Sequence, residues 1–428
     1  MQKLDELVED YSRHAVPDDK TVSGIRIGFI LAGVTITVPA FLVGIEVGQG
    51  LGIFETALAA FFGGFILFLI GACTSMIAAR THLSTYVILQ FAFGVQGAKL
   101  VSFVIALTSL GWFAVTCVLF ASAVYTSILE TFAIDVSSQL YLVVGSVLMV
   151  LTTIFGFKAL DKVSVIIVPL LAVFLTVVAW YSIKSSNFNT VLDYAGNGMG
   201  FGHAVSAIIG GYIVGMTLLP DLCRYAKQKH DGVVGALIGS FISYPLVLVL
   251  SALPSIATAS TDYISLLITL GLGTGGIVML ILATWTTNAN NLYSSSLALS
   301  IIFTNLKKWK IVILIGIVGT VVAASGLAEN LIGFLIVLGY LVPPVAGIYI
   351  TDYYFVDKDA YHLQSSETSI SVNPNAFIAW FAGSMVGYCS TNGFITVSGV
   401  SSIDAILVAS VIYKIFSSLR TKKETDPG

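Results

Sequence analysis

The chain has 428 residues, of which 57% are hydrophobic and 10% charged, and its mean hydropathy is +0.94. This composition excludes an ordinary soluble globular protein and indicates a chain that crosses a lipid bilayer repeatedly. The net charge of -3 excludes no class by itself, because Lys and Arg lie in short clusters between apolar stretches.

Apolar stretches long enough to cross a membrane recur along the chain and predict an all-α polytopic membrane protein with twelve transmembrane helices. In chain order, the predicted spans are 24–48, 56–79, 98–126, 139–156, 163–183, 202–221, 232–255, 264–302, 310–325, 330–354, 375–390 and 397–416. With residues 1–23 as a cytoplasmic tail, nineteen of the 20 Lys and Arg residues lie inside, Lys184 being the exception. Positive charge resists translocation, so we expect both termini, including a tail of residues 417–428, in the cytoplasm.

The first span contains a helix-breaking segment from Gly33 to Pro39. Proline in mid-helix removes a donor and clashes with the carbonyl four residues earlier, here that of Thr35. Carbonyls freed near Thr35 and Ile36 need a partner in hydrocarbon. A bound cation is one such partner, and a proline kink without a ligand is the alternative. Further along this span, Glu46 is expected to be a solvated carboxylate near the outer end.

The sixth span carries Gly210, Gly211 and Gly215, a second weak point about 175 residues after the first. Paired interruptions in two halves of a chain are typical of secondary transporters with inverted repeats. We therefore predict a five-plus-five inverted repeat. Its copies are residues 24–183 and 202–354, and residues 375–416 form two additional helices.

Residues 286–296 place nine polar side chains inside the eighth predicted span, without a formal charge. At helical spacing, Thr287, Asn290, Asn291 and Ser294 share one face. Hydroxyl and amide oxygens suit a small cation, and amides also match the edge of a planar heterocycle. Polar contacts between membrane helices are the alternative explanation.

Two aromatic residues, Trp112 and Tyr212, could stack on the faces of a flat ring, although ordinary packing would explain them equally well. The four cysteines form no CxxC pair and indicate neither a metal site nor disulfides. No HExxH motif or Walker loop is present, so the sequence indicates no catalytic residues and no enzyme.

Several separated segments resemble the nucleobase-cation symport family, which includes bacterial cytosine permeases and hydantoin transporters. The matching segments are Trp285-Thr-Thr-Asn-Ala-Asn-Asn-Leu-Tyr293, Gly111-Trp-Phe113, Gln90-Phe-Ala-Phe-Gly94, Pro343-Pro-Val-Ala-Gly347 and Thr351-Asp-Tyr353. Within the family, the segments are most similar to those of the cytosine permeases, and the resemblance implies the fold of sodium-coupled amino-acid transporters.

The resemblance also implies two sites. Sodium, as the coupling ion, would be held by backbone carbonyls of Gly33, Ile36 and Ala283 and by the hydroxyls of Thr286 and Thr287. The base would bind among Trp112, Tyr212, Asn288, Asn290, Gly211 and Thr37, with the two aromatic rings stacking on it and Asn288 reading its edge.

Three positions depart from the cytosine permeases. Ala289 stands where they have Asp, Gln90 where they have Arg, and Tyr212 where they usually have Phe. The expected function is sodium symport of a nucleobase, cytosine first, across the bacterial inner membrane. Alternative substrates are purines, uracil, hydantoins or amino acids, and the alternative coupling ion is the proton. A channel or a membrane enzyme is a less favoured class of protein. No nucleic acid or obligate protein partner is expected.

Overall fold

The computed structural model describes residues 11, 14–185, 188–258, 273–326, 337–361 and 370–425, which are predominantly helical. The helices are α1 (Gly24–Thr35), α2 (Val38–Leu51), α3 (Ile53–Thr81), α4 (Thr85–Phe93), α5 (Val95–Phe132), α6 (Ser138–Ile154), α7 (Phe157–Ser185), α8 (Phe188–Leu192), α9 (Phe201–Thr217), α10 (Pro220–Cys223), α11 (Lys229–Ala236), α12 (Tyr244–Thr258), α13 (Gly273–Ile302), α14 (Lys308–Ala324), α15 (Pro343–Thr351), α16 (Pro374–Thr391) and α17 (Ser401–Thr425). Wider π-helical turns join α11 to α12 and extend α15. The all-α prediction is confirmed for the described residues.

Several helices have the length and composition needed to cross a bilayer. They cover Ile53–Thr81, Val95–Leu129, Leu160–Lys184, Lys229–Thr258 and Ser401–Leu419. The bent pair α1 and α2 meets the same criteria when its two helices are counted together as one span. The predicted spans eight and ten begin in residues 264–272 and 330–336, which lie outside the described residues, as do residues 1–10 and 426–428 of the predicted tails. The count of twelve spans therefore stays a prediction, as do the boundaries of the two repeats.

The outer face of α7 shows how the bundle meets lipid. Ile166, Val173 and Trp180 follow one another at intervals of seven residues, and each is more than half exposed. At 3.6 residues per turn, this spacing places them on one side of the helix. Such a continuous apolar stripe is unfavourable in water and favourable against hydrocarbon chains.

Small residues let α2 approach α12 closely. A Cβ atom added at Gly48 would lie 2.6 Å from the Cβ of Ala252, so no larger residue fits without movement. Gly44 meets Ser251 on the same pair of helices. Close approach between membrane helices depends on such residues, because lipid provides no hydrophobic drive for association. This contact holds α2 against α12.

The beginning of α1 is fixed by polar contacts to distant parts of the chain. Gly24 N–H donates to Asp231 Oδ1 at 2.7 Å, and Arg26 forms a two-pronged ion pair with Asp161 of α7. These contacts hold the beginning of α1 against α7 and α11, while the break lies at its other end.

Candidate functional site

The first span is two helices. α1 ends at Thr35, α2 begins at Val38, and their axes differ by 66°. Pro39 lies in the first turn of α2, where a missing N–H costs nothing, and the Thr37 hydroxyl accepts from Ala40 N–H at 3.3 Å. The proline therefore starts a second helix, whereas the sequence suggested a kink within one.

The predicted weak point in the second half is displaced. α9 runs without interruption through Gly210, Gly211 and Gly215 and ends at Thr217, and α10 begins at Pro220. The expectation of a break at the glycines was therefore wrong by several residues. Glycine costs a helix only about 1 kcal/mol, whereas proline removes a hydrogen-bond donor and obstructs the preceding turn.

The predicted ion ligands come together where α13 passes the break. Thr286 Oγ1 donates to Ala283 O at 2.9 Å and lies 3.4 Å from Gly33 O of α1. Thr287 Oγ1 donates to Ala283 O at 3.0 Å. Ile36, the fifth predicted ligand, is buried at the break itself.

The donor set in this cluster consists of carbonyls and hydroxyls without a carboxylate. Such neutral, hard oxygens fit a monovalent cation such as sodium better than a divalent ion. Within the described part of the chain, no group of three His, Cys, Asp or Glu residues could hold a metal ion. The residues present therefore fit the ion that the family resemblance implies.

Beside this cluster lies a cavity of about 410 Å³ between α1, α2, α5, α9 and α13. Five of the six predicted substrate residues line it: Trp112, Tyr212, Asn290, Gly211 and Thr37. The volume falls within the range of small-molecule sites. The face predicted on α13 also lines the cavity, since Thr287, Asn290, Asn291 and Ser294 all border it.

Two polar atoms of the cavity residues have no hydrogen-bond partner among the described residues. They are Asn290 Oδ1 and the Tyr212 hydroxyl oxygen, and both are buried. A buried polar atom without a partner costs about 1–3 kcal/mol, so each atom favours a ligand or water that bonds to it. The Tyr212 ring packs against Tyr244 with ring centres 5.0 Å apart.

Asn288, the sixth predicted substrate residue, lies behind the cavity lining. It is fully buried, and its amide donates to Phe113 O at 3.1 Å and to Cys117 Sγ at 3.2 Å. Its Oδ1 accepts from Asn291 Nδ2 at 3.3 Å. The structure therefore places Asn288 behind Asn291 and does not bring it together with the other five predicted substrate residues in the cavity lining.

Besides apolar residues, the lining contains two polar side chains that sequence reasoning missed, those of Ser109 and Tyr244. Ser109 precedes Trp112 by three positions, so helical spacing from the tryptophan could have identified it. Tyr244 has no comparable signal. Its hydroxyl donates to Ile208 O and would obstruct a side chain at Gly211, where an added Cβ would lie 2.7 Å away.

The sequence matches one family profile across most of its length. The family is described as "Permease for cytosine/purines, uracil, thiamine, allantoin", and the match covers residues 15–408. The chain belongs to this family. It is therefore an integral membrane permease and not an enzyme.

Similar proteins agree with this assignment. Cytosine permease of Escherichia coli (strain K12) is 28% identical over 418 residues, covering 97% of this chain and 96% of the permease. The fold is similar to that of Mhp1, a nucleobase-cation-symport-1 family transporter in a closed conformation with bromovinylhydantoin bound. The TM-score is 0.84 at 18% identity, with 97% of this chain and 96% of Mhp1 covered.

A structure of a Na⁺-coupled sialic acid symporter is also similar, with a TM-score of 0.71 at 14% identity and coverage of 98% and 95% of the two chains. At this identity the likeness concerns the fold alone. The predicted fold of sodium-coupled transporters is confirmed.

Proposed function

We propose that this permease imports a nucleobase, cytosine first, by sodium symport with alternating access. The observation that carries the proposal is the cavity at the break between α1 and α2, with aromatic rings in its wall and the unpaired Asn290 Oδ1. Purines, uracil and hydantoins offer similar planar rings and remain alternatives within the same proposal.

The substrate would stack between Trp112 and Tyr212. Both side chains border the cavity, and planar rings gain favourable contact with aromatic faces. Asn290 would read the edge of the ring, because its unpaired Oδ1 accepts a hydrogen bond and nucleobases present N–H donors there. In this proposal Asn290 takes the role first predicted for Asn288.

The start of α2 argues against a carboxylate-bearing substrate such as an amino acid. A helix N-terminus binds anions through free N–H groups. Here Pro39 has no N–H, and the Ala40 N–H already donates to the Thr37 hydroxyl. The cavity also has no cationic side chain among the described residues that line it.

Coupling would arise from the oxygen cluster that joins α1 to α13. Sodium bound there would supply the positive charge that draws the Gly33 carbonyl and the Thr286 hydroxyl together. Thr287 belongs to both the cluster and the cavity wall, since its hydroxyl donates to Ala283 O while the residue borders the cavity. Ion binding at the cluster would therefore alter the wall of the substrate cavity directly, through Thr287.

The test is thermal stabilisation of the purified protein by nucleobases, hydantoins and amino acids, each with sodium or with choline as an inert cation. Ligands that bind only the folded state raise its stability by mass action. We expect sodium-enhanced stabilisation by one planar base. Stabilisation by amino acids alone would retain the fold and refute the proposed substrate.

Variants locate the binding site. Trp112→Ala should abolish stabilisation by every base, whereas Trp180→Ala, at an exposed position on α7, should not change it. Equal stabilisation of the two variants would remove Trp112 from the site.

A further inference from the structure

Glu46 is the only residue with a formal charge at neutral pH among the described residues that line the site cavity. It lies on α2, seven residues beyond Pro39, which corresponds to roughly 10 Å along the helix axis. Its side chain is exposed, and neither ion pair between described residues involves it. Its charge is therefore not neutralised by a neighbouring side chain that the structure describes.

A second cavity of about 640 Å³ meets the first at this residue. Leu42 and Glu46 border both cavities. The other polar side chains lining the second cavity are the amides of Gln49 and Asn197, and both have partners. Gln49 Nε2 donates to Ser255 O at 2.9 Å, and the Tyr194 hydroxyl lies within donating distance of Gln49 Oε1 at 2.9 Å and Asn197 Oδ1 at 3.2 Å. Among the described residues, neither lining contains Lys, Arg or His.

We propose that Glu46 selects ligands by charge at the junction of the two cavities, disfavouring anions such as carboxylated pyrimidines and admitting neutral bases. The ligand class rests on the proposed function. A cleft lined by one sign of charge and walled by apolar groups concentrates the field of that charge. At a point about 10 Å from the Glu46 carboxylate, with a dielectric constant between 40 and 80, this single charge changes the local concentration of a monovalent ion roughly two- to fourfold.

Charged thiol reagents test the selection without requiring a known substrate. Asn290→Cys places a thiol in the cavity wall, in a background where the half-buried Cys73 and Cys389 are replaced by Ser. The labelling rate is measured with cationic, anionic and neutral methanethiosulfonates in Glu46, Glu46→Gln and Glu46→Lys proteins. Ionic strength is kept near 10 mM to limit screening.

From Glu46 to Glu46→Gln, the ratio of cationic to anionic labelling rates should fall roughly four- to sixteenfold, because the two rates change in opposite directions. Glu46→Lys should lower it by the same factor again, while the neutral reagent keeps its rate. Glu55→Lys is the matched control, since Glu55 is an exposed acid at the start of α3 outside both cavity linings, and it should leave the ratio unchanged.

An unchanged ratio across the Glu46 series would overturn the proposal, as would equal effects at Glu46 and Glu55 or a thiol that no reagent reaches. Competition between uracil and orotate, its carboxylated analogue, then tests the ligand class, with Glu46→Gln expected to favour orotate twofold or more. Failure of every base to bind would refute the proposed function while leaving the labelling result to stand alone.

Discussion

Replacing Thr286 with valine tests whether the oxygen cluster between α1 and α13 holds the coupling ion. Thr286→Val keeps the shape of a side chain that is 4% exposed and removes the hydroxyl that reaches Gly33 O. A hydrogen bond or ligand contact to a charged group contributes about 1.5–3 kcal/mol, against about 1 kcal/mol for a neutral bond. Apparent sodium affinity should therefore fall roughly 10- to 100-fold.

The assay is a sodium titration of the melting temperature and of base uptake into vesicles. Stability without sodium should fall by only about 1 kcal/mol, since only neutral hydrogen bonds are then lost. Thr284→Val is the matched control, because the Thr284 hydroxyl donates to Ile281 O on the same helix and Thr284 is not among the predicted ligands. Normal sodium dependence in a folded Thr286→Val protein would refute the ion site.

Further predictions concern the support of the pocket and the fold. Asn288→Ala should weaken base binding through loss of its contact to Asn291. It should also lower stability by about 1–3 kcal/mol, because the buried side-chain hydrogen bonds to the Phe113 carbonyl and Asn291 are both lost; binding and melting curves check both effects. Gly48→Val should lower the free energy of unfolding by about 1–3 kcal/mol, because the larger side chain overpacks against α12. Gly210→Ala should not destabilise the protein, because no atom lies within 4 Å of an added Cβ at that position. Chemical unfolding measures both variants. Asp404→Asn should lower the melting temperature, since its carboxylate accepts from Ser398 N–H and Val397 N–H, and an unaltered transition would contradict that anchoring role.

The polar face of α13 shows where sequence reasoning succeeded. The period of an α-helix alone placed Thr287, Asn290, Asn291 and Ser294 on one side, and these residues do border the cavity. Helical periodicity could not predict which neighbouring helix packs against Asn288. That required the position of α5, whose Phe113 carbonyl and Cys117 sulfur accept hydrogen bonds from the Asn288 amide.

The broken helices show a second limit. Pro39 marked the first break correctly, because the absence of an N–H is a property of the residue itself. Glycines marked the second break wrongly. Their cost in a helix is small enough for packing to offset, and Gly211 is held in a continuous helix beside Tyr244.

The order of residues along the chain is enough to identify a helical membrane protein, the segments that carry its family resemblance, and the polar side of α13. These properties follow from hydropathy and helical periodicity, which are local along the chain. The family resemblance paired Thr286 of α13 with Gly33 of α1 as ion ligands, but their 3.4 Å contact depends on the tertiary structure. The placement of Asn290, and not Asn288, in the cavity lining depends on it as well. Such contacts join residues far apart in the chain, and packing of whole helices sets their distances.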